Sequence, residues 1–216
     1  MSIATFRRHL VLSAAPCWIY NGAVMPEPRL NEEYVMETET NVFIGRLAEK
    51  AENLYNSKQY LCSEAILITV AKGFGLPYTE DQLVAMSAGF PMGIGDSGCA
   101  CGALTGGTVA LGIVLGRKNP HGMRKRIREL SAKLHDDFKT RHRSTCCRVL
   151  TKHVAKNPDE HFAQCMGITG FVAAAVTGML IAEDPELKSM VDYGFLKKRD
   201  SRFFGFLKKA WRYVFR

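Results

Sequence analysis

Seven cysteines, at positions 17, 62, 99, 101, 146, 147 and 165, are the side chains in this sequence best suited to chemistry. A thiolate attacks disulfides and ligates soft metals, so cysteines gathered at one place make a redox or metal site. No two of them have C-x-x-C spacing, which removes the usual zinc-ribbon and thioredoxin patterns, and no C-x-x-C-H is present for attached haem. They are also too sparse for a small disulfide framework. Cys62, Cys101 and Cys165 each precede or open an apolar run of helical period. A helix N-terminus favours the thiolate, so low thiol pKa values are expected there. Taken singly, each cysteine is equally well read as a small buried hydrophobe.

The elements that must position these thiols are helical. From residue 42 onward apolar residues recur with helical period and no alternating strand pattern appears. Phe43, Leu47, Ala51 and Leu54 share one face, with Arg46, Glu49, Lys50 and Glu52 opposite. A second helix begins near Cys62-Ser63-Glu64 and ends at Gly73 or Gly75, before Pro77. Thr79 and Gln82 form a capping box for a third helix over about 80–88. The stretch 89–98, GFPMGIGDSG, is a loop. The next helix carries Gly102, Gly106 and Ala110, whose small size permits close approach of a neighbour or of a bulky cofactor. Residues 121–142 have the longest amphipathic pattern, with Met123, Ile127, Leu130, Leu134 and Phe138 inward. A last body helix follows Pro158 and runs to Glu183. The expected fold is all-α, a compact bundle of five to six helices. Two uncharged runs, 97–116 and 165–182, approach the length of a membrane span but read better as central bundle helices.

The net charge of +8 is unevenly distributed. Residues 27–116 carry 5 basic and 11 acidic groups, 117–156 carry 13 and 3, and 157–186 carry none and 5. The last thirty residues hold nine bases against Asp192 and Asp200. Three parts follow: an extension with an acidic linker (1–41), a helical body (42–186) and a basic aromatic tail (187–216). In 203–216, Phe203, Leu207, Trp211 and Phe215 share one helical face and Lys209, Arg212 and Arg216 another. That is the pattern of an amphipathic helix at a membrane surface, with docking on the same chain or on a second copy as the alternative. The apolar content exceeds what phosphate contact needs, so nucleic acid is not the expected partner. Residues 1–25 have a basic pair before a moderately apolar stretch, but Pro16 and Asn21 interrupt it and no export signal is expected. A frayed extension, or a start at Met25 or Met36, is the plainer reading. The expected location is the cytoplasm, peripheral to the inner face of the membrane.

The order Tyr60-Leu61-Cys62-Ser63-Glu64-Ala65, Cys101-Gly102-Ala103-Leu104-Thr105-Gly106, Ser144-Thr145-Cys146-Cys147-Arg148 and Cys165 resembles the small redox-active proteins of the C_GCAxxG_C_C family. The resemblance spans about 42–182 and implies an all-helical fold with redox-active or cluster-binding cysteines. Carried over residue by residue, it implies Cys62, Cys101, Cys147 and Cys165 as the signature thiols. These would ligate an iron–sulfur cluster or metal, or carry out electron or thiol–disulfide transfer as an oxidoreductase or electron-transfer protein. A redox or transport protein is the implied partner, with homodimerisation open. The alternative is a non-enzymatic metal-binding or membrane-associated interaction module. Cys147 is preferred to Cys146 because it directly precedes Arg148.

Two cysteines depart from the signature. Cys99 makes a C-x-C with Cys101, and Cys146 is vicinal to Cys147. Vicinal Cα atoms lie about 3.8 Å apart, short of the roughly 4.4–6.8 Å of ordinary disulfides. Cys99 and Cys146 are therefore read as resolving thiols, alternative ligands or replacements of small residues. His135 and His142 are expected on the solvated surface, and Asp96 as a loop cap or a group that orients a thiol.

Overall fold

The computed structural model describes residues 19–20, 23–24, 32–116, 119, 121–122, 124–203 and 205–207. Cys17, Met123 and most of the sequences read as an export signal and as an amphipathic anchor lie outside these residues. Residues 1–37 and 38–216 form two separate units. In the first, Ile19–Tyr20 pairs antiparallel with Ala23–Val24.

The second unit is all-α. Its helices are α1 (Glu32–Asn56, which begins before this unit), α2 (Cys62–Gly73), α3 (Glu80–Ser87), α4 (Pro91–Ile94, a single turn within the expected loop whose Met92, Gly93 and Ile94 have positive φ), α5 (Gly102–Leu115), α6 (Lys125–His142), α7 (Cys147–Thr151), α8 (Pro158–Glu183) and α9 (Tyr193–Lys197). Short 3₁₀ segments follow α7 (Lys152–Val154) and α8 (Pro185–Met190). The segment 26–41, expected as a linker, is helical from Glu32 onward: α1 starts ten residues before the first strong apolar repeat. Its acidic residues fall in the first turns, where they suit the helix dipole.

The core is built on α2, α5 and α8, which pack against one another. In α2 every residue from Ser63 to Ala71 is buried, as a helix surrounded on all sides requires. Two approaches are close because glycine occupies the contact. A Cβ at Gly106 of α5 would stand 2.6 Å from Ser63 Cα, and one at Gly107 2.6 Å from a Val172 methyl of α8. The α6 helix lays Leu130, Leu134 and Phe138 on this core and leaves its charges outside. Helix starts follow their sequence signals. Thr79 Oγ1 accepts from the Gln82 N–H at 3.2 Å while Gln82 Oε1 accepts from the Thr79 N–H at 2.9 Å. Asn157 caps α8, with Pro158 in its first turn.

By length and composition α8 could cross a membrane, but 56% of its most apolar window is buried against the rest of the bundle. Among the described residues it is the sole helix that meets that test.

The basic segment after residue 187 is docked over its described part. Leu187 and Leu196 are buried in the core. Lys50, expected on the exposed face of α1, is instead buried: its ammonium donates to the Lys198 carbonyl and to Asp200 Oδ2, each at 2.7 Å, above the Phe195 ring. A lysine placed among charged neighbours in sequence was drawn inward by a carboxylate 150 residues away. Phe203, Phe206 and Leu207 are exposed.

Candidate functional site

One cavity of about 280 Å³ opens at one end of the helical core. Cys62, Cys101, Cys147 and Cys165 all line it, each from a different element. Cys62 is the first residue of α2 and Cys101 the N-cap of α5. Cys147 opens the short α7, whose N-cap is Cys146. Cys165 does not open its helix: α8 begins at Pro158, so this thiol sits in the third turn. Glycine again sets the spacing, since a Cβ at Gly102 would stand 2.7 Å from Cys62 Sγ. The six cysteines among the described residues are all free thiols.

The expectation of low thiol pKa values is overturned inside the cavity. Burial pushes Cys62 up to about 12, with the neighbouring Cys101 and Cys165 adding to the shift. Burial likewise raises Cys101 to about 11. The Ala103 and Leu104 N–H groups at the start of α5 do favour its thiolate, and desolvation outweighs them. Cys165 rises to about 11 through burial and its neighbours Cys101 and Cys147, and Cys147 rises by burial and by Cys146 and Cys99. The cavity at neutral pH therefore holds protonated thiols, and ionisation of one would oppose ionisation of its neighbours.

Two cavity residues were not anticipated. Tyr55, at the end of α1, hydrogen-bonds to Cys165, and its ring stacks on Phe162 with centroids 4.9 Å apart. Burial raises its own pKa. His161 of α8 also faces the cavity. The signal for Tyr55 was weak, because a tyrosine on the apolar stripe of α1 is indistinguishable from core. Asp96 lines the cavity as well. His135 is exposed and bonded to Asp136, whereas His142 packs between Phe138 and Phe171 at centroid distances of 4.7 and 5.0 Å. Burial lowers the His142 pKa, so its expected solvated setting is corrected.

Outside the cavity wall, Cys99 is exposed and Cys146 half-buried. The Cys99 and Cys146 side chains are neighbours, and their interaction holds Cys99 up and Cys146 down from their ordinary values. The two segments that carry them are clamped together. The Cys101 N–H donates to the Thr145 carbonyl at 2.8 Å and the Arg148 N–H to the Gly98 carbonyl at 2.9 Å. The Arg148 guanidinium donates to the Ser97 carbonyl at 2.6 Å. Gly98 has φ +83°, and a Cβ there would meet the Arg148 side chain at 2.9 Å, so glycine is required on both counts.

A four-cysteine donor set is of the kind that takes iron–sulfur clusters or zinc. Among the described residues, however, no three His, Cys, Asp or Glu side chains stand close enough together to hold a metal ion. The family model described as "Putative redox-active protein (C_GCAxxG_C_C)" matches residues 60–179, more than half of the chain and every residue of the four-thiol set. No curated protein and no solved structure matches the sequence.

Proposed function

We propose, from the premise that this chain belongs to the C_GCAxxG_C_C family of redox-active proteins, that its reaction is thiol–disulfide exchange in the four-cysteine cavity. The observation that carries the reading is the convergence of Cys62, Cys101, Cys147 and Cys165 on one cavity wall while each remains a protonated thiol. Two neutral thiols on one cavity, once brought together, can give up two protons and two electrons to an incoming disulfide and close as a disulfide themselves. The incoming disulfide leaves as two thiols, which balances the exchange. High thiol pKa values make the buried dithiol slow to react alone, so a partner that enters the cavity and displaces water would set the rate. Leu61 and Met92 line the cavity yet are about half exposed, and with the exposed Ile94 and Val149 they offer an apolar landing for a redox protein.

A second reading, an iron–sulfur cluster on the same four thiols, is favoured by the donor set itself. Ligation would replace the four protons by metal charge, which is how a high-pKa thiol becomes a ligand. One preparation separates the two. Protein purified without oxygen is assayed for iron, zinc and acid-labile sulfide, and its thiols are counted before and after mild oxidation by a small disulfide. A colourless, metal-free protein that reversibly loses two thiols among the four supports exchange. Iron with matching sulfide supports the cluster. Metal-free protein whose four thiols never change state removes both.

A further inference from the structure

Cys99 and Cys146 lie outside the signature and outside the cavity lining; Cys99 is exposed and Cys146 half-buried. An exposed free cysteine is open to oxidation, and these two thiols are neighbours on segments that are tied to each other by backbone hydrogen bonds. Their backbones are held together on either side of the pair. Cys101 bonds to Thr145, Gly98 bonds to Arg148, and the Cys146 thiol itself reaches the Gly98 carbonyl at 3.0 Å. The Arg148 side chain adds a further tie to Ser97. Closing a disulfide here therefore needs rotation of side chains rather than movement of segments. It would be placed on the rim of the four-thiol cavity, because Gly98, Cys101, Cys147 and Arg148 line that cavity.

We propose that Cys99 and Cys146 form a second, solvent-facing redox site, a dithiol that closes to a disulfide by exchange with an external disulfide and locks the 97–101 segment to the 145–148 segment. Cys146 has the more acidic thiol but Cys99 is the more exposed, so access makes Cys99 the first nucleophile: it gives its proton to solvent and attacks one sulfur of the incoming disulfide, and the first leaving sulfur departs and is protonated as a thiol. Cys146, losing its proton, then attacks Cys99 Sγ, and the second sulfur departs as a thiol. Two protein thiols are oxidised and one external disulfide is reduced to two thiols. The assignment does not depend on what the cavity cysteines do, since none of them takes part in the bond.

The test uses the reduced full-length chain with oxidised glutathione as the probe. After acid quench and alkylation, digestion and mass spectrometry should find a Cys99–Cys146 linked peptide that dithiothreitol releases. In Cys146→Ser the resolving thiol is gone, and the glutathione adduct should accumulate on Cys99 about tenfold above the level in the unaltered chain. A chain with the four signature cysteines changed to Ser should still form the link, and the unaltered chain supplies the same readout if that variant does not fold. Conversely, Cys99→Ser/Cys146→Ser leaves the cavity free for its own thiol count, so failure of one site is distinguishable from failure of the other. The proposal is overturned if Cys99 and Cys146 stay free under oxidation, if either links instead to Cys147 or another cysteine, or if Cys146→Ser shows no added adduct.

Discussion

The Tyr55 hydroxyl lies beside the Cys165 thiol in the four-cysteine cavity, and among the described residues it is the side chain that favours the Cys165 thiolate. It joins the end of α1 to the third turn of α8, so a cavity thiol in one helix is tuned by an aromatic residue in another. Tyr55→Phe keeps the ring and its stacking on Phe162 while removing the donor. A hydrogen bond of this kind contributes about 0.5–1.5 kcal/mol, so the Cys165 thiolate should become scarcer by about two- to tenfold at any pH below its pKa. Site-resolved alkylation of Cys165 with iodoacetamide, followed by mass spectrometry across about pH 8–11, checks this. The variant's profile should shift to higher pH with Cys101 unchanged. An unshifted Cys165 profile would remove Tyr55 from the site.

Stability should fall with rising pH above the ordinary thiol range when the protein is kept reduced. Cys62, Cys101 and Cys165 have native pKa values of about 12, 11 and 11, all raised by burial, against the ordinary 9.0. Between 9.0 and those values the unfolded chain releases thiol protons that the folded chain retains. The folded state then binds more protons, so stability is intact below the unfolded value and is lost as pH climbs through the native ones. The slope is at most about 1.4 kcal/mol per pH unit for each such thiol. Urea midpoints measured under a phosphine reductant at about pH 8, 9 and 10 should decline, and less steeply in Cys62→Ala. Equal slopes in the two proteins would contradict the burial origin of the shift.

Much of the helical frame was legible in the sequence because its signals are local. The limits of α2, α3 and α8 follow from Cys62-Ser63-Glu64, from the Thr79/Gln82 box and from Pro158, and the structure has them there. Convergence of the four signature cysteines came from motif order, and the structure puts them on one cavity. What was not legible depends on partners distant in sequence. The inward turn of Lys50 requires Asp200, the seat of Tyr55 requires Cys165, and the high thiol pKa values require a burial that no helix-start rule contains. The early start of α1 escaped for a different reason: Glu32–Thr40 groups its apolar residues in one block, Tyr34-Val35-Met36, and has no helical apolar period to announce a helix.

Two glycines of α5 should respond in opposite directions to the same substitution. Gly106 faces Ser63, where a Cβ would lie 2.6 Å from Cα and 2.9 Å from the carbonyl oxygen, both backbone atoms that cannot step aside. Gly112 has nothing within 4 Å of its would-be Cβ. Gly106→Ala should destabilise by about 1–3 kcal/mol through overpacking of the α2–α5 contact. Gly112→Ala should stabilise by about 0.5–1 kcal/mol, because alanine loses less backbone entropy in a helix. Thermal melts of the two variants beside the unaltered protein check both signs. Because Gly106 lies one turn from Cys101, Gly106→Ala should also change the cavity thiols' alkylation rates, and Gly112→Ala should leave them alone.

The buried Lys50–Asp200 pair should govern whether the chain after α9 stays on the bundle. The Lys50 side chain is 1% exposed and that of Asp200 15%, at a separation of 2.7 Å. Asp200 is itself held from both sides, its N–H donating to Asn53 Oδ1 at 2.8 Å and its carbonyl accepting from Asn53 Nδ2 at 3.0 Å. Removing one partner of a buried pair leaves an uncompensated charge and costs about 3–5 kcal/mol. Asp200→Ala should fall at the low end, since the ammonium keeps the Lys198 carbonyl and the Phe195 ring. The double variant Lys50→Met/Asp200→Ala takes the orphaned charge away and should recover a large part of the loss. Urea unfolding gives the energies. Limited proteolysis gives the location, with cleavage after residue 197 rising in Asp200→Ala and returning toward the original rate in the double variant. Equal destabilisation in the single and double variants would mean that the packing of the segment, rather than the ion pair, holds it in place.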